Sequence, residues 1–124
     1  MTQTNGRYTP KDTVTRLFLV RHGETDYNKN GLLQGRSINA DLNDTGRLQA
    51  EAVARYFADK QIDFLASSDL KRAVQTAEPV AAQKRLTINR YKEIEEIDFG
   101  RMEGMNAEGL GEKLKFIHRS WKQG

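Results

Sequence analysis

The spacing of apolar and polar positions switches between strand-like and helix-like along this chain. Leu17-Phe18-Leu19-Val20 is a continuous apolar run, which predicts a strand over residues 16–21. Residues 22–42 are rich in glycine and asparagine and show no sustained period, so they read as a functional loop; a structureless connection of that length usually binds something. Asn43 suits a helix N-cap, and Asp44 adds negative charge to the first turn. Ala50, Val53, Ala54 and Phe57 recur at i, i+3, i+4 and i+7, which predicts an amphipathic helix over residues 44–59. Ile62 to Ala66 predicts a second strand, ending in Ser67-Ser68-Asp69. A second helix follows over residues 70–84, with Ala73, Ala77, Val80 and Ala81 facing inward. Pro79 predicts a kink or break in it, because an internal proline removes a hydrogen bond at a cost of ~3 kcal/mol. Leu86-Thr87-Ile88 predicts a short third strand. Residues 91–111 read as another loop, punctuated by glycine, and residues 112–121 as a last helix, with Leu114, Ile117 and Trp121 on one face. Residues 1–15 read as a flexible leader and residues 16–124 as one domain.

Strands alternating with helices predict an α/β domain with a mainly parallel sheet. Ligands of such sheets bind beyond the carboxyl ends of the strands. Three groups of chemically capable residues fall there: Arg21-His22, Ser67 to Arg72, and Glu93 to Gly100. Their shared placement predicts one composite site.

Composition narrows the function classes. A chain of 124 residues suffices for one small domain with a core. Without cysteine it has neither disulfides nor thiolate metal sites. No stretch is apolar and long enough to span a bilayer, and the polar first fifteen residues lack a signal-peptide core, so the expected location is cytoplasmic. The net charge of +3 comes from Lys and Arg scattered among Asp and Glu, without the clustered basic stripe of a nucleic-acid binder. The mild positive excess suits a small anionic substrate, and a solvated mixed-charge surface explains it equally well.

The junction after the first apolar run carries the most chemistry. Arg21-His22-Gly23-Glu24-Thr25 places an imidazole beside a guanidinium, followed by a glycine that lets backbone approach a ligand closely. Imidazole is a nucleophile near neutral pH, and guanidinium forks onto phosphate oxygens. A lone histidine at a strand end is more often an exposed turn residue. An arginine on a helix, such as Arg72, is ordinarily a solvated charge, and Glu93, Glu95 and Glu96 are ordinarily a solvated acidic loop.

Four segments shift that balance. Residues 17–25 with Asn28 resemble the R-H-G-[ES]-T-x-x-N signature of the histidine phosphatase superfamily, which includes the cofactor-dependent phosphoglycerate mutases and many small phosphatases. Asp41 to Ala50 resembles its L-[ST]-x-x-G-x-x-Q-A helix start, Ser67 to Ala77 its S-x-L-x-R-A-x-x-T-A segment, and Glu96 to Gly104 its E-x-x-x-G-x-x-E-G segment. The resemblance implies a three-layer sandwich with a mainly parallel sheet flanked by helices. It implies His22 as the nucleophile that forms a phosphohistidine, with Arg21 and Arg72 clamping the phosphoryl oxygens. Glu96, four residues before Gly100, would protonate the leaving oxygen and later activate water, with Glu95 as the alternative. Asn28 would hydrogen-bond the phosphoryl group or order the loop around it. Gly35 could offer a backbone N–H to substrate. Arg36, Asn39 and Lys29 are more ordinary as surface residues. No cofactor or metal is expected, since two guanidiniums can spread charge over the equatorial oxygens.

The sequence departs from the family pattern in one respect. The family site holds a second histidine on a late apolar strand; here the other histidine is His118, in a charged amphipathic stretch without a β-run. Residues 16–124 therefore look like the front portion of a larger domain, incomplete at its C-terminus, with truncation preferred over a strand supplied by a homo-oligomer and over a shorter variant fold. The expected function is a metal-independent phosphomonoesterase acting through phosphohistidine on a small phosphorylated metabolite. The alternatives are a mutase, whose tryptophan-bearing pattern after the RHG motif is missing from residues 29–36, and a phospholigand-binding module without turnover.

Overall fold

Two helices of equal length and one pair of parallel strands frame the computed structural model, which describes residues 14–106. A short helix, α1 (Asp26–Lys29), comes first; α2 (Asp44–Phe57), β1 (Leu65–Ser67), α3 (Lys71–Lys84) and β2 (Ile88–Arg90) follow. The 3₁₀ turns Lys92–Ile94 and Gly100–Met102 lie in the loop after β2. β1 and β2 pair in parallel with Leu65 opposite Ile88, Ala66 opposite Asn89 and Ser67 opposite Arg90. β1, α3 and β2 thus form a βαβ unit, so the α/β class and the parallel pairing hold.

α2 starts where its sequence says it should. The Asn43 side chain accepts a hydrogen bond from Gly46 N–H at 2.8 Å. Ala50, Ala54 and Phe57 are buried along its inner face, with Val53 half-buried. Ala54 and Phe57 pack against Val80 of α3, and Val53, Ile62 and Leu65 close round that cluster. Lys84, at the end of α3, donates to the carbonyls of Ala58 (3.3 Å) and Lys60 (2.5 Å), a cation placed at the negative end of α2.

Several expectations need correction. The apolar run 17–20 joins no ladder among the described residues; Leu17 is 76% exposed and Leu19 88%. β-propensity has no effect without a neighbouring backbone, and the ladder formed by β1 and β2 does not include this segment. Phe18 meets the core residue Phe57 edge-on, with ring centroids 5.1 Å apart. The second and third strands each form toward the C-terminal side of their predicted runs. Residues 85 and 86 are used in closing α3: Arg85 takes a left-handed conformation (φ 57°), and Leu86 N–H donates to Ala81 O.

α3 runs without a break through Pro79. Its buried face consists of Arg72, Thr76 and Val80, while the expected inward residues Ala73, Ala77 and Ala81 are half-buried. The loop after the first run is not structureless either, for it contains α1 with a reciprocal cap between Thr25 and Asn28. Residues 1–13 of the expected leader 1–15, the helix expected over 112–121, and His118 lie outside the described residues.

Candidate active site

The site is assembled by loops anchored onto α2 and α3. Gly23 N–H donates to Thr76 Oγ1 at 2.8 Å, and Thr76 Oγ1 donates to Arg72 O at 2.6 Å. The residue after His22 is therefore fixed one helical turn beyond Arg72. Glu24 adds two further ties: its N–H donates to Gln49 Oε1 at 2.8 Å and its carbonyl accepts from Asn43 N–H at 3.0 Å. Gly46 sits so close beneath this loop that a Cβ there would strike the Glu24 carbonyl, and a Cβ on Gly23 would lie 2.6 Å from Gly46 O. The glycine after His22 thus serves the approach of α2, where the sequence suggested the approach of a ligand.

His22 is half-buried, and its Nδ1 lies 2.7 Å from the Gly23 carbonyl oxygen. A carbonyl only accepts, so Nδ1 carries the proton and Nε2 carries the lone pair. Burial, first, lowers the imidazole pKa below its usual 6.5; the charges of Arg72 and Arg21 lower it further, against the opposing pull of the Gly23 hydrogen bond and Glu96. The neutral, nucleophilic form is thereby favoured at neutral pH. The fields of Arg21, Arg72 and Glu96 converge on one imidazole, so the structure brings four of the predicted site residues together. Arg21 and Glu96 are exposed.

Arg72 is the most enclosed of the group, at 1% exposure. Its guanidinium donates to Ile38 O at 2.6 Å and Gly35 O at 3.1 Å. Burial lowers its pKa from the usual arginine value, while Glu96 and Glu103 act to raise it. An arginine remains charged throughout the ordinary pH range. The N-terminus of its helix is capped from the loop, with Lys71 N–H donating to Asn39 Oδ1 at 2.7 Å.

Asn28 orders the loop: its Oδ1 accepts from Thr25 N–H at 3.0 Å and lies 3.1 Å from Thr25 Oγ1. Gly35 N–H is engaged by Glu103 Oε1 at 3.2 Å and is not turned outward as the sequence suggested. A side chain at Gly35 would collide with the Ile97 carbonyl and with Phe99. Arg36 pairs with Asp98 at 3.4 Å at the surface. Asp98 is held below the usual carboxylate range by the Gly100 N–H, first, and by Arg36 and Ser37.

Sequence reasoning missed Thr76, Glu103 and Gly46. All three stood inside the quoted motifs without a role. The i+4 spacing of Thr76 from Arg72 was the available signal for the first. Among the described residues, no group of three or more His, Cys, Asp or Glu side chains is arranged to hold a metal ion.

A family model of the histidine phosphatase superfamily (branch 1) matches residues 17–124. The chain belongs to that superfamily. It is 36% identical over 108 residues to phosphoserine phosphatase 1 of Hydrogenobacter thermophilus, covering 87% of this chain and 51% of that protein. It is 52% identical over 62 residues to fructose-2,6-bisphosphatase TIGAR B of Danio rerio, covering 50% of this chain and 24% of that one. Its fold is similar to that of mycobacterial glucosyl-3-phosphoglycerate phosphatase in complex with VO3, with a TM-score of 0.70 and 29% identity over 81% of this chain and 49% of that one. The chain spans about half the length of the full-length phosphoserine phosphatase it matches. These three relatives are named as phosphatases and differ in the phosphate ester named.

Proposed function

We propose that this chain forms the phosphoryl-handling part of a metal-independent phosphomonoesterase that works through a phosphohistidine at His22. One observation carries the reading. The imidazole is held by the Gly23 carbonyl with Nε2 unprotonated, in the combined field of Arg72 and Arg21. Nε2 attacks phosphorus, the ester oxygen leaves, and Arg21 and Arg72 offset the charge on the transferred group. Glu96 gives the departing oxygen its proton and then takes one from the water that releases phosphate. Asn28 keeps the loop in shape, and the substrate is a small phosphorylated metabolite. Among the described residues no helix is long and apolar enough to cross a membrane, and the proposed location is cytoplasmic. The phosphatase names of the relatives support hydrolysis over isomerisation.

A second reading is favoured by the state of Arg72, whose guanidinium is enclosed and committed to two loop carbonyls. A module that holds a phosphorylated ligand without turnover fits such an arginine. Three assays on the 124-residue chain separate the readings. The phosphatase releases phosphate from p-nitrophenyl phosphate in the presence of EDTA. A mutase instead isomerises 3-phosphoglycerate primed with the bisphosphate and hydrolyses little. A binding module shows a higher melting temperature with inorganic phosphate while hydrolysis stays at background.

A further inference from the structure

The Glu103 carboxylate lies at the end of the second 3₁₀ turn, far along the chain from the histidine and both arginines. Oε1 accepts from Gly35 N–H at 3.2 Å and Ile38 N–H at 3.0 Å. Oε2 accepts from Ser37 N–H at 3.3 Å and Phe99 N–H at 3.2 Å. Four backbone donors on one half-buried carboxylate exceed what a surface glutamate needs, and hydrogen bonds to a charged acceptor are about twice as strong as neutral ones.

Two of the residues held there also hold Arg72. Gly35 and Ile38 give their N–H groups to Glu103 and their carbonyls to the Arg72 guanidinium. The turn between them is closed by Ile38 N–H donating to Gly35 O at 3.3 Å, and it is laid against the later loop by Arg36 N–H donating to Ile97 O at 2.9 Å. A carboxylate and a guanidinium therefore grip the same four-residue turn. The turn fixes the arginine only as firmly as it is itself held, and the carboxylate accepts from three of its four N–H groups. Pre-ordering an anion-binding fork matters because a misplacement of ~1 Å at a reacting group can cost on the order of a hundredfold in rate.

We infer that Glu103 is a positioning residue for phosphoryl binding, acting on Arg72 through the turn 35–38 and touching no substrate itself. This rests on the reading of His22 and Arg72 as a phosphoryl site. Glu103→Gln keeps the size and removes the charge, and it places an amide donor where two N–H groups expect an acceptor.

The experiment is a double-mutant cycle on the 124-residue chain, with inorganic phosphate as the probe and binding read by calorimetry. Amide hydrogen exchange is followed in parallel. Glu103→Gln is expected to weaken phosphate binding about tenfold, within the range known for residues that orient a binding group. Protection is lost at Gly35, Ser37, Ile38 and Phe99 and kept along α2 and α3. In an Arg72→Met background the same change has no further effect on binding, because the route through the arginine is already cut. Equal losses in both backgrounds overturn the inference, as does unchanged phosphate affinity in Glu103→Gln when the parent chain binds phosphate. A parent chain that binds no phosphate sinks the phosphoryl-site reading and this inference with it. Should the glutamine variant not fold, Glu103→Asp carries the same test: it keeps the charge but shortens the reach, and weaker binding that vanishes in the Arg72→Met background is again required.

Discussion

On the N-terminal side of His22 the apolar residues Leu17 and Leu19 stand 76% and 88% exposed; on the C-terminal side a polar loop is tied to both long helices. Hydrophobicity would assign order to the first stretch and freedom to the second. The difference lies in what each needs from its surroundings. A strand needs a ladder partner along its whole backbone, and the run 17–20 has none among the described residues. The loop needs only a few well-placed acceptors and a close approach. Thr76, Gln49, Asn43 and Gly46 supply them, all from α2, α3 or the residue that caps α2. His22 therefore takes its position from the helices behind it.

The largest expected effect comes from closing the gap beneath the loop. Gly46→Ala drives a methyl group into the Glu24 carbonyl, and overpacking of this kind costs about 3 kcal/mol at its upper end. The checks are a denaturant melt and kcat/KM, both of which should fall. Next comes Thr76→Val, which leaves the buried Gly23 N–H without its acceptor at a cost of about 2 kcal/mol. Catalytic loss in that variant should exceed the loss expected from unfolding alone, because His22 loses its register with Arg72.

A smaller effect is expected from pH at the junction itself. Burial and the two arginines lower the His22 pKa in the folded chain, so the acid limb of kcat/KM should fall below 6.5 and rise when Arg21 is changed to Gln. Stability follows with a definite sign. As pH falls past 6.5 the unfolded chain takes up the proton before the folded one does, so the contribution of His22 is lost between 6.5 and its lower folded value. The smallest effect is expected from Leu19→Ser, within about 0.5 kcal/mol and without change in activity, as for an uncovered surface position. A larger loss there would show the run to be covered in solution and would weaken the contrast between the two sides of His22.

The sequence made the helices legible because their signals are local. Asn43 caps α2, and the Ala50–Ala54–Phe57 spacing marks its buried face. Strand pairing is not local, which explains both the run that joins no ladder and the displaced bounds of β1 and β2. The candidate site was legible as far as the proximity of His22, Arg72, Arg21 and Glu96, whose charges meet at one imidazole. It was not legible at the residues that set their geometry. The motif marked Arg72 as a phosphoryl clamp, but nothing in a helical stretch announces that the Gly35 and Ile38 carbonyls will close over it. Gly35 read as a donor to substrate because its real acceptor, Glu103, lies in another loop.

The central claim is that the His22 imidazole accepts a phosphoryl group. It is tested most directly by mixing the chain with a radiolabelled phosphomonoester, quenching in alkali and mapping the labelled peptide. The account predicts an acid-labile, base-stable label on His22 that is absent from His22→Ala. Label that persists in His22→Ala, or hydrolysis by the parent chain through a route that never labels the protein, would contradict it.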